Sequence, residues 1–433
     1  MPEVGEVAHA VANLRRNILG YTIKSASFLL DDKIFPSLKE DDPKKKSTST
    51  KSPYFYQPEL KFKSPSDIEN SLKNKKIVGI GRHGKYFWIR TKHELNEEGQ
   101  NLYPNGLLIL LHFGMTGWIK FKDIYSHFIQ MESGGYKKVF KILGTDENGD
   151  PLPKQEDEND GETRTSIDKD VIQAEDWPPR FHKFLLNLSE GAENNIDLGF
   201  VDPRRLAKVR FYEINSKLNT DELVLQNIEQ LSKLGPDYSK TNSKNTSIIE
   251  DIEFVSGDPD PHDHAKSILS QGEFKDLVLS KPKLTIKPFL LKQEYFSGVG
   301  NWMADEILFH SKIYPEEVLG SLDEEDIELL YEKLIEISKI SVDLEAEVAK
   351  FPRSWLMLYR WGKKSKKTYH GHDVKFVTVG GRTSCYVAEI QKKKSKKRKK
   401  EVIEEEEEVK SESNDDHVTV KKTTTRAKRK KSV

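Results

Sequence analysis

Met1-Pro2-Glu3-Val4-Gly5-Glu6-Val7 opens the chain, and everything downstream is arranged around how it is read. Val4, Val7, Ala8, Val11, Ala12, Leu14 and Ile18 recur at helical spacing and Gly20 is a natural stop, which predicts a helix over 4–19. Such a helix holds whatever precedes it in a fixed place. If the initiator Met1 is removed, that is a secondary amine, Pro2, with Glu3 beside it and Glu6 one turn further on. A free α-amino group titrates near pH 8 (about 7.7–8.0), so a usable fraction is neutral and nucleophilic at physiological pH. Attack of a secondary amine on a sugar C1′ gives a cationic iminium directly, an electron sink that can expel a base and then a phosphate. An adjacent carboxyl with a raised pKa can carry the protons. On these seven residues alone, an ordinary Met-Pro start with two acids in a helix's first turn is the simpler reading.

A chain of 433 residues accommodates two or three domains. The apolar fraction of 36% against 32% charged suits a soluble protein with sizeable disordered parts. No apolar run approaches the ~20 residues of a membrane span, so no membrane partner is expected, and no basic-then-apolar leader marks a signal peptide. Cys385 is the one cysteine, which excludes an internal disulfide and any zinc site built on two or four cysteines. His370, His372 and Cys385 lack metal-ligand spacing, so neither metal nor cofactor is expected. The net charge of +0 hides segregation. Residues 391–433 carry 16 Lys/Arg and 9 Asp/Glu, net +7, and 145–176 carry 12 Asp/Glu and 3 Lys/Arg, net −9. A basic tail implies a polyanionic partner or nuclear import.

Past the first helix the pattern is extended. Tyr21–Leu30, Lys76–Arg90, Leu107–Phe121 and Phe181–Leu188 read as strands, with Gly81, Gly84, Gly114 and Gly117 at bends or turns, and 194–213 continues in that style. An antiparallel sandwich accommodates them. A charged loop at 39–53 and the acidic stretch 145–176 interrupt it, the latter too poor in apolar residues to fold. From 221 the pattern turns helical: Leu223, Leu225, Ile228, Leu231 and Leu234 precede a Gly235-Pro236 stop, and 239–261 reads as loop. Helices are expected near 262–278, 285–292, 301–311 and 322–347. Val374, Phe376 and Thr378 then alternate, Gly380-Gly381 turns, and Thr383, Cys385 and Val387 alternate back, giving a hairpin with Arg382 at its tip. The fold class is α+β and multidomain: an N-terminal β-sandwich with a leading helix over 1–215, a helical domain over 221–348, a hairpin module over 349–391 and a disordered charged tail over 392–433.

Several motifs suit a nucleic acid. In His112-Phe113-Gly114-Met115-Thr116-Gly117, Met115 sits between glycines, where a flexible apolar side chain can wedge into a stack left open by an extruded nucleotide; a core methionine is the alternative. In Asp202-Pro203-Arg204-Arg205-Leu206, Arg204 can read the orphaned partner base while Arg205 meets phosphate or sets the loop; a solvated charged turn is the alternative. Lys85, beside Gly84, could hold a backbone phosphate. Ser297-Gly298-Val299-Gly300-Asn301 leads into a helix whose amides favour an anion, with Asn301 as N-cap or direct phosphate donor. Lys287, just upstream, could add a phosphate contact, and Arg382 at the hairpin tip is a second exposed cation, with a polar hairpin tip as its alternative.

Taken together and in this order, these motifs resemble the formamidopyrimidine-DNA glycosylase (Fpg/Nei) family, most closely its plant and fungal branch. The start, the His112–Gly117 and Asp202–Arg205 motifs, TIKPFLL at 285–291 and GVGNWMADEIL at 298–308 are similar to family signatures in the family's order, from Pro2 to about Gln391. The segment 376–391 resembles the hairpin that replaces a four-cysteine zinc finger in the branch lacking zinc. The resemblance implies a helix-two-turn-helix in the helical domain, a zincless finger, and a cleft for double-stranded DNA containing oxidised bases or abasic sites. It implies a monomeric bifunctional DNA glycosylase and AP lyase. In that reading Pro2 forms the Schiff base, Glu3 protonates the sugar ring oxygen and Glu6 supports the network. Lys85, which belongs to the catalytic set as well, grips the phosphates with Asn301 and Arg382, while Met115 and Arg204 fill the vacated space. Val4 and Gly5 replace the family's Leu and Pro, which loosens how the N-terminus is held. Leu206 stands where many members carry a wedging Phe, which bears on opposite-base choice. The segment 345–365 is short beside the loop with which bacterial members cap 8-oxoguanine, so formamidopyrimidines, hydantoins and abasic sites are expected ahead of that lesion. The rival is a non-catalytic damaged-DNA-binding protein using the same cleft and tail. The basic clusters near 392–400 and 426–431 imply salt-sensitive DNA affinity and a nuclear location.

Overall fold

Helix α1 (Val4–Ile18) divides its apolar surface between two cores. Val7, Ala10, Val11, Leu14 and Ile18 enter a core made with the sheet, while Val4 and Ala8 enter a second core made by helices. The start of the chain is thereby pinned at a seam. At the far end of α1, Arg15 donates to the Ile80 carbonyl at 2.7 Å. The computed structural model describes residues 2–38, 56–93, 106–131, 134–145, 176–191, 194–215, 218, 221–240, 266–361, 368–369 and 371–394. The expected loop at 39–53, His370 and nearly all of the acidic stretch and the tail lie outside the described residues. The chain divides into the units Met1–Lys392 and Lys393–Val433, and every described helix and strand falls in the first.

The sheet comprises β1 (Thr22–Phe28), β2 (Lys75–His83), β3 (Tyr86–His93), β4 (Leu107–His112), β5 (Trp118–Phe121), β6 (His182–Glu190), β7 (Asn194–Val201) and β8 (Lys208–Glu213). All neighbours are antiparallel, in the order β5-β7-β6-β1-β2-β3-β4-β8. β1 meets β2 at Thr22↔Lys76. The sheet folds over there into the two layers of a sandwich: Leu186, Leu198 and Phe200 of one layer share a buried core with Ile80, Phe87, Ile109 and Phe211 of the other. Each such side chain contributes about 1.5–3 kcal/mol by leaving water. The stretches 76–90 and 107–121 each prove to be two strands, turning at Gly84 (φ +56°) and at Gly114 (φ +64°). Helix α2 (Pro65–Leu72) flanks the sandwich, whereas α3 (Gly135–Ile142) packs its Val139 into the second, helical core. Ser64 and Asp67 close a reciprocal cap on α2, and Ile68 and Leu72 join the sheet core.

The helical part contains α4 (Asp221–Asn227), α5 (Glu229–Ser232), α6 (Gln271–Leu279), α7 (Ile286–Leu290), α8 (Asn301–His310) and α9 (Glu324–Asp343). Phe274, Phe289, Phe296, Ile307, Leu330 and Leu334 form its core. The first turn of α1 lies against α9, where a Cβ on Gly5 would stand 2.7 Å from the Ser341 carbonyl oxygen. The expectation that Gly5 loosens the N-terminus is thus corrected: glycine allows the closest approach, and a proline ring would meet α9 backbone. The last elements are β9 (Thr368–Tyr369), β10 (His372–Val379) and β11 (Arg382–Val387). The register Val379↔Arg382 leaves a two-residue Gly380-Gly381 turn with φ +56° and +75°, both in the left-handed region that such turns require.

Candidate active site

Pro2 is buried where the starts of α1 and α8 meet. The Val4 N–H donates to the Gly298 carbonyl at 3.2 Å, and Gly298 has φ +99° with Val4 against its Cα. Glu3 is 1% exposed. Its Oε1 accepts the Trp302 N–H at 3.0 Å and its Oε2 the Met303 N–H at 3.2 Å. A Cβ on Gly300 would overlap that carboxyl. The anion at the N-terminus of α8 is therefore the chain's own Glu3, and the loop glycines make room for it rather than for a phosphate. Asn301 is not the cap expected of it. Gly300 takes that position, and the Asn301 amide donates to the Thr383 carbonyl at 3.0 Å, joining α8 to β11.

Glu6 faces a different environment. Its Oε1 accepts the Trp302 indole N–H at 3.1 Å and its Oε2 the Glu3 N–H at 3.0 Å. Burial, reinforced by the neighbouring Glu3 carboxylate, pushes its pKa up to about 7. At neutral pH it can both give and take a proton. Glu6 and Pro2 line one cavity of about 460 Å³ together with Met115, Trp118, Phe128 and Trp302.

Lys85 donates to the Val299 carbonyl at 3.0 Å. Burial lowers its pKa, while the charges of Glu3, Arg382 and Glu6 all act on it. The β2–β3 turn, the N-terminal acids and the exposed hairpin-tip Arg382 thus form one electrostatic cluster. Lys287 does not join it as a phosphate contact. It is 0% exposed, donates to the Asn301 carbonyl at 2.7 Å and pairs with Asp305. That expectation is corrected: Lys287 fastens α7 to α8 from inside.

Asp305 and Glu306 brace the site from within, a role the sequence reading missed, and the available signal was two adjacent acids inside an otherwise apolar helix. Asp305 also accepts the Cys385 N–H at 3.0 Å and pairs with Arg360. Glu306 accepts the Leu356 and Met357 N–H groups at 2.9 and 2.7 Å. Together they hold the hairpin and the 356–359 turn onto α8.

Met115 is 39% exposed on the β4–β5 turn, and Arg204 and Leu206 are exposed on the 203–206 turn. Asp202, fully buried, ties the two turns together. It accepts the Thr116 hydroxyl at 2.6 Å and the Arg204, Leu206 and Ala207 N–H groups at 3.1, 2.7 and 2.8 Å. Arg205 takes φ +55° and places two nitrogens on Asp31 at 2.7 and 2.9 Å. Of its two readings, this pairing bears on loop setting.

The geometry has counterparts among known proteins. The family model described as formamidopyrimidine-DNA glycosylase N-terminal domain matches residues 44–209, and the formamidopyrimidine-DNA glycosylase H2TH domain model matches 259–352. The formamidopyrimidine-DNA glycosylase of Arabidopsis thaliana is 28% identical over 392 residues, covering 90% of this chain and 71% of that protein. The Lactococcus lactis subsp. lactis protein of the same name is 44% identical over 66 residues, 15% of this chain and 24% of its own length. Among solved structures, Lactococcus lactis Fpg in complex with abasic site-containing DNA covers 90% of this chain and 100% of its own, at 16% identity and a TM-score of 0.51. MutM in complex with carbocyclic 8-oxo-G-containing DNA gives the same coverage at 17% identity and a TM-score of 0.52. These two structures share the fold.

Proposed function

The chain belongs to the formamidopyrimidine-DNA glycosylase family, and on that premise we propose that it is a DNA glycosylase that removes oxidised bases from duplex DNA and then cleaves the abasic site as a lyase. The observation that carries this reading is Pro2 sharing a cavity wall with Glu6, whose pKa is pushed to about 7. That relatives of this fold were solved with abasic and 8-oxo-G DNA supports duplex DNA as the partner.

With Met1 removed, the Pro2 nitrogen attacks C1′ of an extruded nucleotide. The new C1′–N bond forms as the glycosidic bond breaks, and the base leaves with a proton. Glu3, beside Pro2, is assigned the proton delivered to the ring oxygen, which opens the sugar to an iminium. The iminium acidifies the C2′ hydrogen. Its removal expels the 3′ phosphate, a second elimination expels the 5′ phosphate, and water releases Pro2 from the sugar remnant. Glu6, titrating near neutrality, suits proton exchange in both directions. Lys85 and Arg382, with Asn301 bracing the tip strand, hold the flanking phosphates, and Met115 and Arg204 occupy the vacated space. The segment 345–365 is short beside the loop with which bacterial members cap 8-oxoguanine, and formamidopyrimidines, hydantoins and abasic sites are assigned as the substrates ahead of that lesion. The basic tail is assigned to nuclear import, tested by the location of a chain lacking 392–433.

Borohydride reduction on an abasic or lesion duplex traps the iminium. The expected result is a covalent adduct with the mature chain, strongly reduced for Pro2→Gly. An equally strong adduct with Pro2→Gly refutes the assignment of the nucleophile. Tight binding without adduct or strand cleavage, or an intact mass that retains Met1, selects the binding-only protein.

A further inference from the structure

The connection from β5 to β6 leaves the sandwich and returns to the cavity. Phe128, Ile129, Gln130 and Met131 line it together with Pro2 and Glu6. This wall is held from several sides. Phe128 stacks on Trp118 with ring centroids 3.5 Å apart and an interplanar angle of 14°. The Ser126 hydroxyl meets His9 of α1 at 2.9 Å, and the His127 ring meets the Glu345 carbonyl at 2.9 Å. A Cβ on Gly135, at the start of α3, would stand 2.5 Å from the Gln130 carbonyl oxygen, so the helix abuts the wall from behind. Met131 is 5% exposed and belongs to the helical core.

Around this cavity two half-buried side chains keep an uncommitted polar group, Gln130 with its amide and Trp361 with an indole N–H that can only donate. The Thr116 hydroxyl is taken by Asp202, and the Glu6 oxygens are taken by Trp302 and the Glu3 N–H. Asp176 and Arg180 are exposed at the cavity's edge. The Gln130 side-chain amide has no hydrogen-bond partner among the described residues. A nucleobase has apolar faces and a polar edge. The cavity offers Trp118, Phe128 and Trp302 for faces, and a carboxamide offers donors and an acceptor in one plane for an edge.

We propose that Gln130 is a specificity-determining residue, whose amide hydrogen-bonds the polar edge of the extruded base and so ranks the lesions. The proposal rests on the reading of this cavity as the site of base removal. It separates from that reading experimentally, because an abasic site has no base to read.

The test is single-turnover cleavage by the full chain, with Gln130→Ala and Gln130→Glu. The substrates are duplexes carrying a formamidopyrimidine, a hydantoin or 8-oxoguanine, and a preformed abasic duplex. Loss of a well-placed edge contact lowers excision roughly 5- to 100-fold. The expected result is a loss that differs among lesions, so their ratios shift, while abasic cleavage stays within about twofold of wild type. Gln130→Glu, which keeps the shape and removes the donors, is expected to reorder the lesions differently. Unchanged lesion ratios overturn the proposal. So does a parallel fall in excision and abasic cleavage, which marks a merely structural role. A wild-type chain that neither traps nor cleaves overturns the active-site reading itself.

Discussion

Replacing Asp305 by Ala should release the hairpin from α8, and the lone cysteine reports it. The Asp305 carboxylate is 2% exposed and faces the fully buried Lys287 ammonium, Arg360 and the Cys385 N–H. Removing it leaves a buried cation uncompensated and a backbone donor unpaired, a change worth about 3–5 kcal/mol. Cys385 is 0% exposed, packed with Phe309, Leu356, Val374 and Val387. Burial pushes its thiol up to about 12, so the closed state holds almost no thiolate at pH 8. Labelling by a maleimide therefore proceeds through opening, at a rate proportional to the opening constant. At about 1.36 kcal/mol per decade, 3 kcal/mol corresponds to roughly 150-fold faster labelling. Asp305→Asn, which keeps an acceptor for Cys385 and loses the charge, should fall in between. The chain has one cysteine, so the signal has one source. Labelling of Asp305→Ala at the wild-type rate, with unchanged far-UV circular dichroism, would refute the argument that this carboxylate fastens the hairpin.

Three other substitutions probe the seam. Burial pushes the Asp237 carboxyl up, yet Arg82 and neighbouring cations hold it at about 2, and it accepts Arg82 at 2.7 Å and the Gly84 N–H at 2.9 Å; Asp237→Asn keeps an acceptor but removes the counter-charge of the fully buried Arg82 and should cost about 3–5 kcal/mol, read from urea midpoints. Gly5→Pro restores the residue usual in the family but drives it into Ser341, so trapping should fall rather than rise, with about 1–3 kcal/mol lost to overpacking. Glu6 has a folded pKa near 7, above the 4.5 of the free side chain, so its contribution to stability is fully present below 4.5 and is lost as pH rises through 7. Glu6→Gln stays neutral, and from pH 4 to pH 8 its stability relative to wild type should improve by up to about 3 kcal/mol; a constant difference across those pH values would show that Glu6 titrates as an ordinary carboxyl.

What the sequence made legible was what neighbouring residues encode together. The hairpin shows in two alternating runs and a Gly-Gly turn, and α8 and α9 show in apolar spacing. α2 was missed: Ser64-Pro65-Ser66-Asp67 is a cap with proline at the first turn, but Ile68 and Leu72 are its only large apolar side chains and gave no period. Lys287 and Arg382 look alike in sequence, each a lone cation in an apolar context. Their difference is set by Asp305, 18 residues from Lys287 and folded onto it. Arg205 is likewise decided by Asp31, 174 residues away. Burial and pairing of a charge are tertiary facts, so candidate residues were legible by type and their duties were not.

The same limit governs the two N-terminal acids, which sit three residues apart and look interchangeable. The fold gives them unlike surroundings through α8. Glu3 places both oxygens on the N–H groups that open that helix, where the helix dipole favours an anion. Glu6 receives an indole N–H and one backbone N–H, in a buried place beside the Glu3 carboxylate, and its pKa rises to about 7. Trp302 contributes a donor to each. Three residues later Asp305 holds the strand that carries Arg382. One ten-residue helix thus holds the first acid on two of its N–H groups, leaves the second free to exchange protons, and fastens the strand that carries the hairpin-tip cation. On the proposed mechanism, disturbing α8 at Asp305 should therefore lower borohydride trapping at Pro2 without touching it, because the groups assigned to orient the substrate and those assigned to move its protons hang from the same turns.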